Sequence, residues 1–256
     1  MAIALWYCPQ YGSPAYETLE LLIISLQSVF PSSRIFEPHL TIATNLACND
    51  VDDVNKILTS CVAAMRSIRP RLRSAGGSGG MGRDGGPSNT RSSSDESGIQ
   101  GTAEGTSVLV SFRGCSVGRR FLRKVALECN ENRYLHSIAQ IMREVYVEID
   151  DSSRSQRAAT WARDEFAPHV SLLYSDVYPI SQAFLRIIQQ RIEDVLDTPM
   201  HKLDPLKDNI SHSNEKQVSW EFDRTPALSW SLPGTFKVVK CEGPVEDWQV
   251  LGRTDV

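Results

Sequence analysis

Apolar and polar positions divide this chain into short strands, amphipathic helices and two polar interruptions. Residues 2–8 form a short apolar run closed by Pro9 and Gly12, which predicts a first strand. Ser13-Pro14 has the form of an N-cap followed by proline at the first helical position. Leu19, Leu22, Ile23, Leu26 and Phe30 then recur at helical spacing. A second helix is predicted over 50–65, with Val51, Val54, Ile57, Leu58, Cys61 and Val62 on one side. Residues 108–112 and 121–127 read as an antiparallel strand pair joined across 114–118. Leu135, Ile138, Ile141, Met142 and Val145 mark a helix from about Asn132. Residues 178–196 mark another, with Ile180, Phe184, Ile187, Ile188, Ile192 and Val195 inward. Three short strand candidates follow at 218–222, 227–232 and 236–241. No long alternation of strand and helix is present, so the pattern predicts an α+β class with antiparallel sheet backed by helices.

The interruptions are compositional. Residues 74–106 hold ten of the sixteen glycines, mixed with serine and almost no large apolar residue. Such a segment cannot bury enough surface to offset its chain entropy, and disorder is expected. Within it, Gly77, Gly79 and Gly82 match the spacing of a dinucleotide-binding loop, and Gly76 to Gly80 around Ser78 match a nucleophile elbow. Neither has the preceding strand and following helix that its chemistry needs, and both matches are rejected. A second polar loop is expected near 199–214, and 150–165 reads as a polar stretch. Arg66, Arg69, Arg71 and Arg73 read as a solvated helix end. Arg119, Arg120, Arg123 and Lys124 put positive charge beside the 108–127 strand pair. Protection of an exposed strand edge is the ordinary explanation, and a hold on a substrate phosphate is the functional one.

At 256 residues and 41% hydrophobic composition the chain fits one soluble domain, expected to span 1–256. The net charge of −4 gives no general attraction to nucleic acid or anionic membrane, so any phosphate recognition is local. No apolar run reaches membrane-span length, and a cytoplasmic location is the expectation. The six cysteines are scattered without Cys-x-x-Cys spacing and are expected as reduced thiols.

One short pattern occurs twice. Pro38-His39-Leu40-Thr41-Ile42 and Pro168-His169-Val170-Ser171-Leu172 share the form Pro-His-apolar-hydroxyl-apolar, each in a run apolar enough for a buried strand. Side chains two apart on a strand share a face, so each copy presents an imidazole and a hydroxyl side by side. His136 lacks the hydroxyl two places on and reads as a surface or packing residue.

On these residues, with the continuation Leu172-Leu173-Tyr174 and an opening strand containing Trp6, the chain resembles the two-histidine phosphoesterases. Its likeness is greatest to the fungal and plant 2',3'-cyclic-nucleotide 3'-phosphodiesterases. The resemblance implies two pseudo-symmetric lobes, each carrying one motif, with the cleft between them. It implies catalytic His39 and His169, substrate-binding Thr41 and Ser171, and cleavage at the 3' oxygen that leaves a 2'-phosphate. ADP-ribose 1'',2''-cyclic phosphate is implied as a further substrate, and Golgi association as the location of fungal relatives. Trp6 either packs in the core or, as the family places an aromatic here, lies near the nucleotide base. Tyr174 either contacts substrate or ends its strand with an exposed hydroxyl.

The residue types suit this chemistry. Hydrolysing a cyclic phosphodiester needs a base for water, an acid for the departing sugar oxygen and donors for the phosphoryl oxygens. Histidine titrates near neutrality, so one imidazole can be neutral while the other is charged. No metal or other cofactor is required. The expected partner is a small cyclic-phosphate nucleotide, with no stable nucleic-acid partner, no membrane insertion and a monomeric state. Two rivals stay open. One is an RNA-end enzyme of the same superfamily, acting on 2',5' linkages or tRNA ends. The other is a non-catalytic nucleotide-binding module.

Overall fold

The computed structural model describes residues 2–74, 108–149, 152–203 and 216–256. The glycine-rich segment after Ser74 and most of the loop near 199–214 lie outside the described residues. One half of the fold is built from strands β1 (Ile3–Pro9), β2 (Leu40–Thr44), β9 (Gly234–Lys240) and β10 (Gln249–Asp255), backed by helices α2 (Val51–Ser74) and α3 (Arg133–Tyr146), with α4 (Arg154–Asp164) packed on α3. The other holds β3 (Val110–Gly118), β4 (Val125–Cys129), β5 (His169–Leu173), β6 (Met200–Lys202), β7 (Lys216–Phe222) and β8 (Ser229–Trp230). Helices α1 (Pro14–Val29) and α5 (Gln182–Leu196) pack on each other here, with α1 against β5. The α+β class is as expected, but the separate sheets expected for two lobes are one continuous sheet. The strands run β10-β9-β1-β2-β5-β4-β3-β7-β6, with β8 on β3, and every pairing is antiparallel.

The seam lies between the motif strands, where β2 meets β5 through the pair Leu40 and Val170. Behind the seam, Leu5, Tyr7, Leu40, Ile42, Val125, Leu127, Val170, Phe236 and Val238 join the inner residues of α1, α2, α3 and α5 in one buried core. The helices therefore cover one face of the sheet and bridge its halves: α1 packs on both β1 and β5, and α3 on β2. Arg191 of α5 donates to Ser25 Oγ and Ser28 Oγ of α1, at 2.8 and 2.9 Å. On the opposite face Ala4, Trp6, Cys8 and Val239 form a small separate cluster against Trp248. All six cysteines are unpaired thiols.

Helix α1 starts as its sequence dictates, with Ser13 Oγ accepting from the Tyr16 amide at 3.2 Å. Several expectations are corrected. The glycines of 114–118 do not form the turn of a hairpin; they lie within β3, and the chain reverses at 119–124 through a 3-10 turn at Phe121–Arg123. A Cβ at Gly114 would collide with the Trp220 carbonyl oxygen, so glycine there permits close pairing of β3 with β7. Both β3 and β4 are interior strands, so edge protection does not explain Arg119, Arg120 and Arg123. Helix α2 runs nine residues past its expected end at residue 65, to Ser74, and Val51 is exposed. Helix α4 lies in the stretch read only as polar, because just Ala158 and Ala162 are buried on it. Ile141, Val145, Phe184 and Ile187 are exposed. The buried stripe of α5 is Leu185, Ile188, Ile192 and Leu196, a rotation of the expected face.

Candidate active site

The two motifs are built alike beyond the residues that defined them. Each starts at a phenylalanine, giving Phe36-Glu37-Pro38-His39 and Phe166-Ala167-Pro168-His169. Proline fixes its own φ and pushes the residue before it into extended backbone. In both copies the carbonyl two residues before the histidine then meets its ring. Nδ1 of His39 donates to the Glu37 carbonyl at 2.7 Å, and Nδ1 of His169 to the Ala167 carbonyl at 3.0 Å. Each imidazole is thus held in the tautomer whose free nitrogen is Nε2.

The strands also carry matching bulges. In the β1–β2 ladder the register slips so that Ile42 is the extra residue, and in the β4–β5 ladder Leu172 is. Each lies three residues after its histidine. A bulge breaks the simple alternation of faces. After the bulge, Tyr174 comes to the same side as the histidines, where strict alternation from Ser171 would have sent it to the other.

The antiparallel pair Leu40 and Val170 lies on the pseudo-twofold axis. Continuing its register by one residue in each direction sets His39 across from Ser171 and Thr41 across from His169.

The surroundings of the two histidines differ. His39 is 5% exposed. Trp6 stacks on its ring at 3.7 Å between centroids and 12° between planes, and Phe36 meets it edge-on at 6.1 Å. The Tyr174 hydroxyl donates towards His39 Nε2 at 3.4 Å, while the Tyr174 ring stacks on Phe36 at 3.8 Å. Trp248, half-buried, lies 6.0 Å from Trp6 and 6.1 Å from Tyr174. Burial lowers the His39 pKa to about 4; the Glu37 carbonyl opposes the shift and the Lys237 charge adds to it. Lys237 clamps the loop by pairing with both Glu37 carboxylate oxygens, at 2.5 and 2.7 Å.

His169 is half-buried and stands across from Glu128 on β4. Burial and the nearby Arg123 hold its pKa well below the ordinary value, against the opposing Ala167 carbonyl and Glu128. Glu128 faces three cations, Lys216 at 2.6 Å, Arg113 at 3.4 Å and Arg123 at 3.7 Å. Its burial raises the carboxyl pKa, but Lys216, Ser116 and Arg123 outweigh that and the net shift is downward.

The expected residues thus fall around one seam. His39, His169, Thr41 and Ser171 lie in register there, and Trp6 and Tyr174 both touch His39. Thr41 is half-buried opposite Trp6 on β1, and Ser171 Oγ donates to the Leu122 carbonyl at 2.7 Å. Trp6 is 6% exposed and backs the imidazole with its ring face. Phe36, Trp248, Glu37, Lys237 and Glu128 were not among the expected residues. The repeated Phe-x-Pro-His was readable for Phe36, and Glu37 lies within that same loop, but Trp248, Lys237 and Glu128 come from segments far from their histidines in sequence. His136 is a packing residue, with Nδ1 on the Ala162 carbonyl at 2.9 Å and its ring edge-on to Phe166. Among the described residues no group of three or more His, Cys, Asp or Glu is placed to hold a metal ion.

Comparison with known proteins places the whole chain among named relatives. The model of the family described as cyclic phosphodiesterase-like protein matches residues 1–256. A 2',3'-cyclic-nucleotide 3'-phosphodiesterase of Saccharomyces cerevisiae is 54% identical over 258 residues, covering 100% of both chains. A protein of the same name from Eremothecium gossypii is 39% identical over 256 residues, again covering 100% of both. Another, from Kluyveromyces lactis, is 36% identical over 256 residues, with 100% of this chain and 99% of that one covered. The resemblance carried by the paired histidine motifs extends over the whole sequence, and the chain belongs to the cyclic phosphodiesterase-like family.

Proposed function

We propose that the protein hydrolyses nucleoside 2',3'-cyclic phosphates to nucleoside 2'-phosphates, with His39 and His169 as the acid–base pair. The observation that carries the mechanism is the pair of imidazoles held in the same tautomer, one on each of the motif strands that meet at the β2–β5 seam. One imidazole, neutral, takes a proton from water as the water oxygen bonds to phosphorus. The other, protonated, gives its proton to the 3' oxygen as the phosphorus–oxygen bond breaks. Thr41 donates to the phosphoryl oxygens, and Ser171 exchanges the Leu122 carbonyl for the same role as charge builds on them. Reaching His39 Nε2 displaces the Tyr174 hydroxyl, which then faces the phosphoryl group as a third donor. Trp6 fixes the plane of the His39 ring. ADP-ribose 1'',2''-cyclic phosphate presents the same cyclic phosphate on a ribose and is the second substrate we propose, giving ADP-ribose 1''-phosphate.

The test is hydrolysis of adenosine 2',3'-cyclic phosphate in EDTA by the parent, His39→Ala and His169→Ala, with identification of the product isomer. Turnover to the 2'-phosphate is expected, with each substitution lowering kcat by about 10²–10⁴. A 3'-phosphate product, or either variant working at near-parent rate, would overturn the mechanism. Among the described residues no helix is long and apolar enough to cross a membrane.

A further inference from the structure

We infer that the β5-β4-β3-β7 half of the sheet carries a second phosphate subsite, which takes the 5'-phosphate of the reacting nucleotide. That group is either a free 5'-monophosphate or the phosphodiester joining the nucleotide to an RNA chain. The inference rests on the cyclic-phosphate hydrolase reading and deepens it.

A cavity of about 280 Å³ adjoins the proposed site. Arg113, Arg119, Arg120, Arg123, Arg163 and Lys216 line it, six cations against four carboxylates, in a chain whose net charge is −4. Ala167 and Pro168, the two residues before His169, form part of its wall, as does Glu128, the strand neighbour of His169. Strands lie about 4.8 Å apart, so the cavity begins roughly 5 Å from His169 at β4 and reaches roughly 14 Å away at Lys216 on β7. A second phosphate on the same nucleotide falls in that range.

Its charge is arranged for an anion. Arg163 is matched by its neighbour Asp164 at 2.7 Å. Arg113, Arg123 and Lys216 all pair with Glu128. Three cations gathered around one carboxylate, in a lining where cations outnumber carboxylates, suit a phosphate, and arginine offers it forked donors. Ser116 and Gly118 of β3 also line the cavity, small residues that leave room for the group. The other half of the same sheet face carries Trp6, Cys8 and Val239 against Trp248. The face is thus apolar and aromatic on the His39 side and cationic on the His169 side, which sets the direction in which a nucleotide lies across it.

The experiment compares kcat/KM at low salt for three substrates: adenosine 2',3'-cyclic phosphate, its 5'-phosphorylated form, and the dinucleotide ApA ending in a 2',3'-cyclic phosphate. A 5'-phosphate is expected to raise kcat/KM by about tenfold or more in the parent, an advantage that shrinks with added salt. In the Arg113→Gln, Lys216→Gln double variant the ratio of phosphorylated to unphosphorylated substrate should fall towards one. Gain by the monophosphate alone identifies mononucleotides as the source; gain by the dinucleotide alone identifies RNA ends. A parent ratio at or below one overturns the subsite and needs no variant to fold, while hydrolysis of the unphosphorylated substrate still stands. Hydrolysis of none of the three overturns the hydrolase reading, and the subsite with it.

Discussion

The proposed mechanism asks His39 and His169 to exchange protons near neutral pH, and burial favours the neutral form of both. The bound phosphate's negative charge supplies the counterweight by favouring an imidazolium beside it. Two pH profiles should therefore separate. The profile of kcat/KM reports the free enzyme, whose pair loses its proton well below 6.5, and is expected to fall with rising pH across 5–7. The profile of kcat reports the complex and should hold its plateau to higher pH. Coincident profiles would show that substrate does not retune the pair. Tyr174→Phe removes the hydroxyl poised on His39 Nε2; a fall of about tenfold in kcat with little change in KM is expected, and unchanged kinetics would reduce Tyr174 to packing against Phe36. At this scale the sequence was legible where chemistry and spacing coincide, at His39, Thr41, His169 and Ser171. Lys237 and Glu128 were not legible. Their parts depend on strand partners 200 and 41 residues from the histidines' own motif loops, and nothing local in the sequence encodes those pairings.

Among the elements, the clearest lesson is β3. Glycines at 114 and 118 look like a turn, yet Gly114 serves the opposite purpose, letting two strands close up where a side chain would strike the Trp220 carbonyl. Gly114→Ala should therefore destabilise the protein by roughly 1–3 kcal/mol, or prevent folding, with thermal unfolding as the measurement; a midpoint within a degree of the parent would show that β7 gives way. Helices with a capping residue and a broad apolar stripe, such as α1, were readable almost to the residue. Helix α4 was not, because a helix that buries only two alanines has scarcely any hydrophobic period. Strand β10, mostly exposed at the sheet's edge, lacks the alternation that identifies a half-buried strand.

Across the whole molecule, the same buried imidazoles tie stability to pH. The folded His39 pKa of about 4 lies below the ordinary value of 6.5, so below pH 6.5 the unfolded chain binds the proton that the folded chain refuses. Stability is then fully present above pH 6.5 and is lost as pH falls towards 4, by an amount on the order of 3 kcal/mol from His39. Glu128, lowered in the folded state, adds a loss of the same sign at pH below the ordinary carboxylate range. The thermal midpoint should decline from pH 6.5 to 4, and His39→Asn should flatten the upper part of that decline; an unchanged slope would show that His39 does not titrate against its burial. The order of strands has a further consequence. The sheet half that holds His169 has all its ladder partners by Trp230, whereas the His39 half must wait for β9, whose Lys237 reaches back to Glu37. On a ribosome, where a protein is made from one end to the other, the first histidine motif synthesised is the last to find its setting.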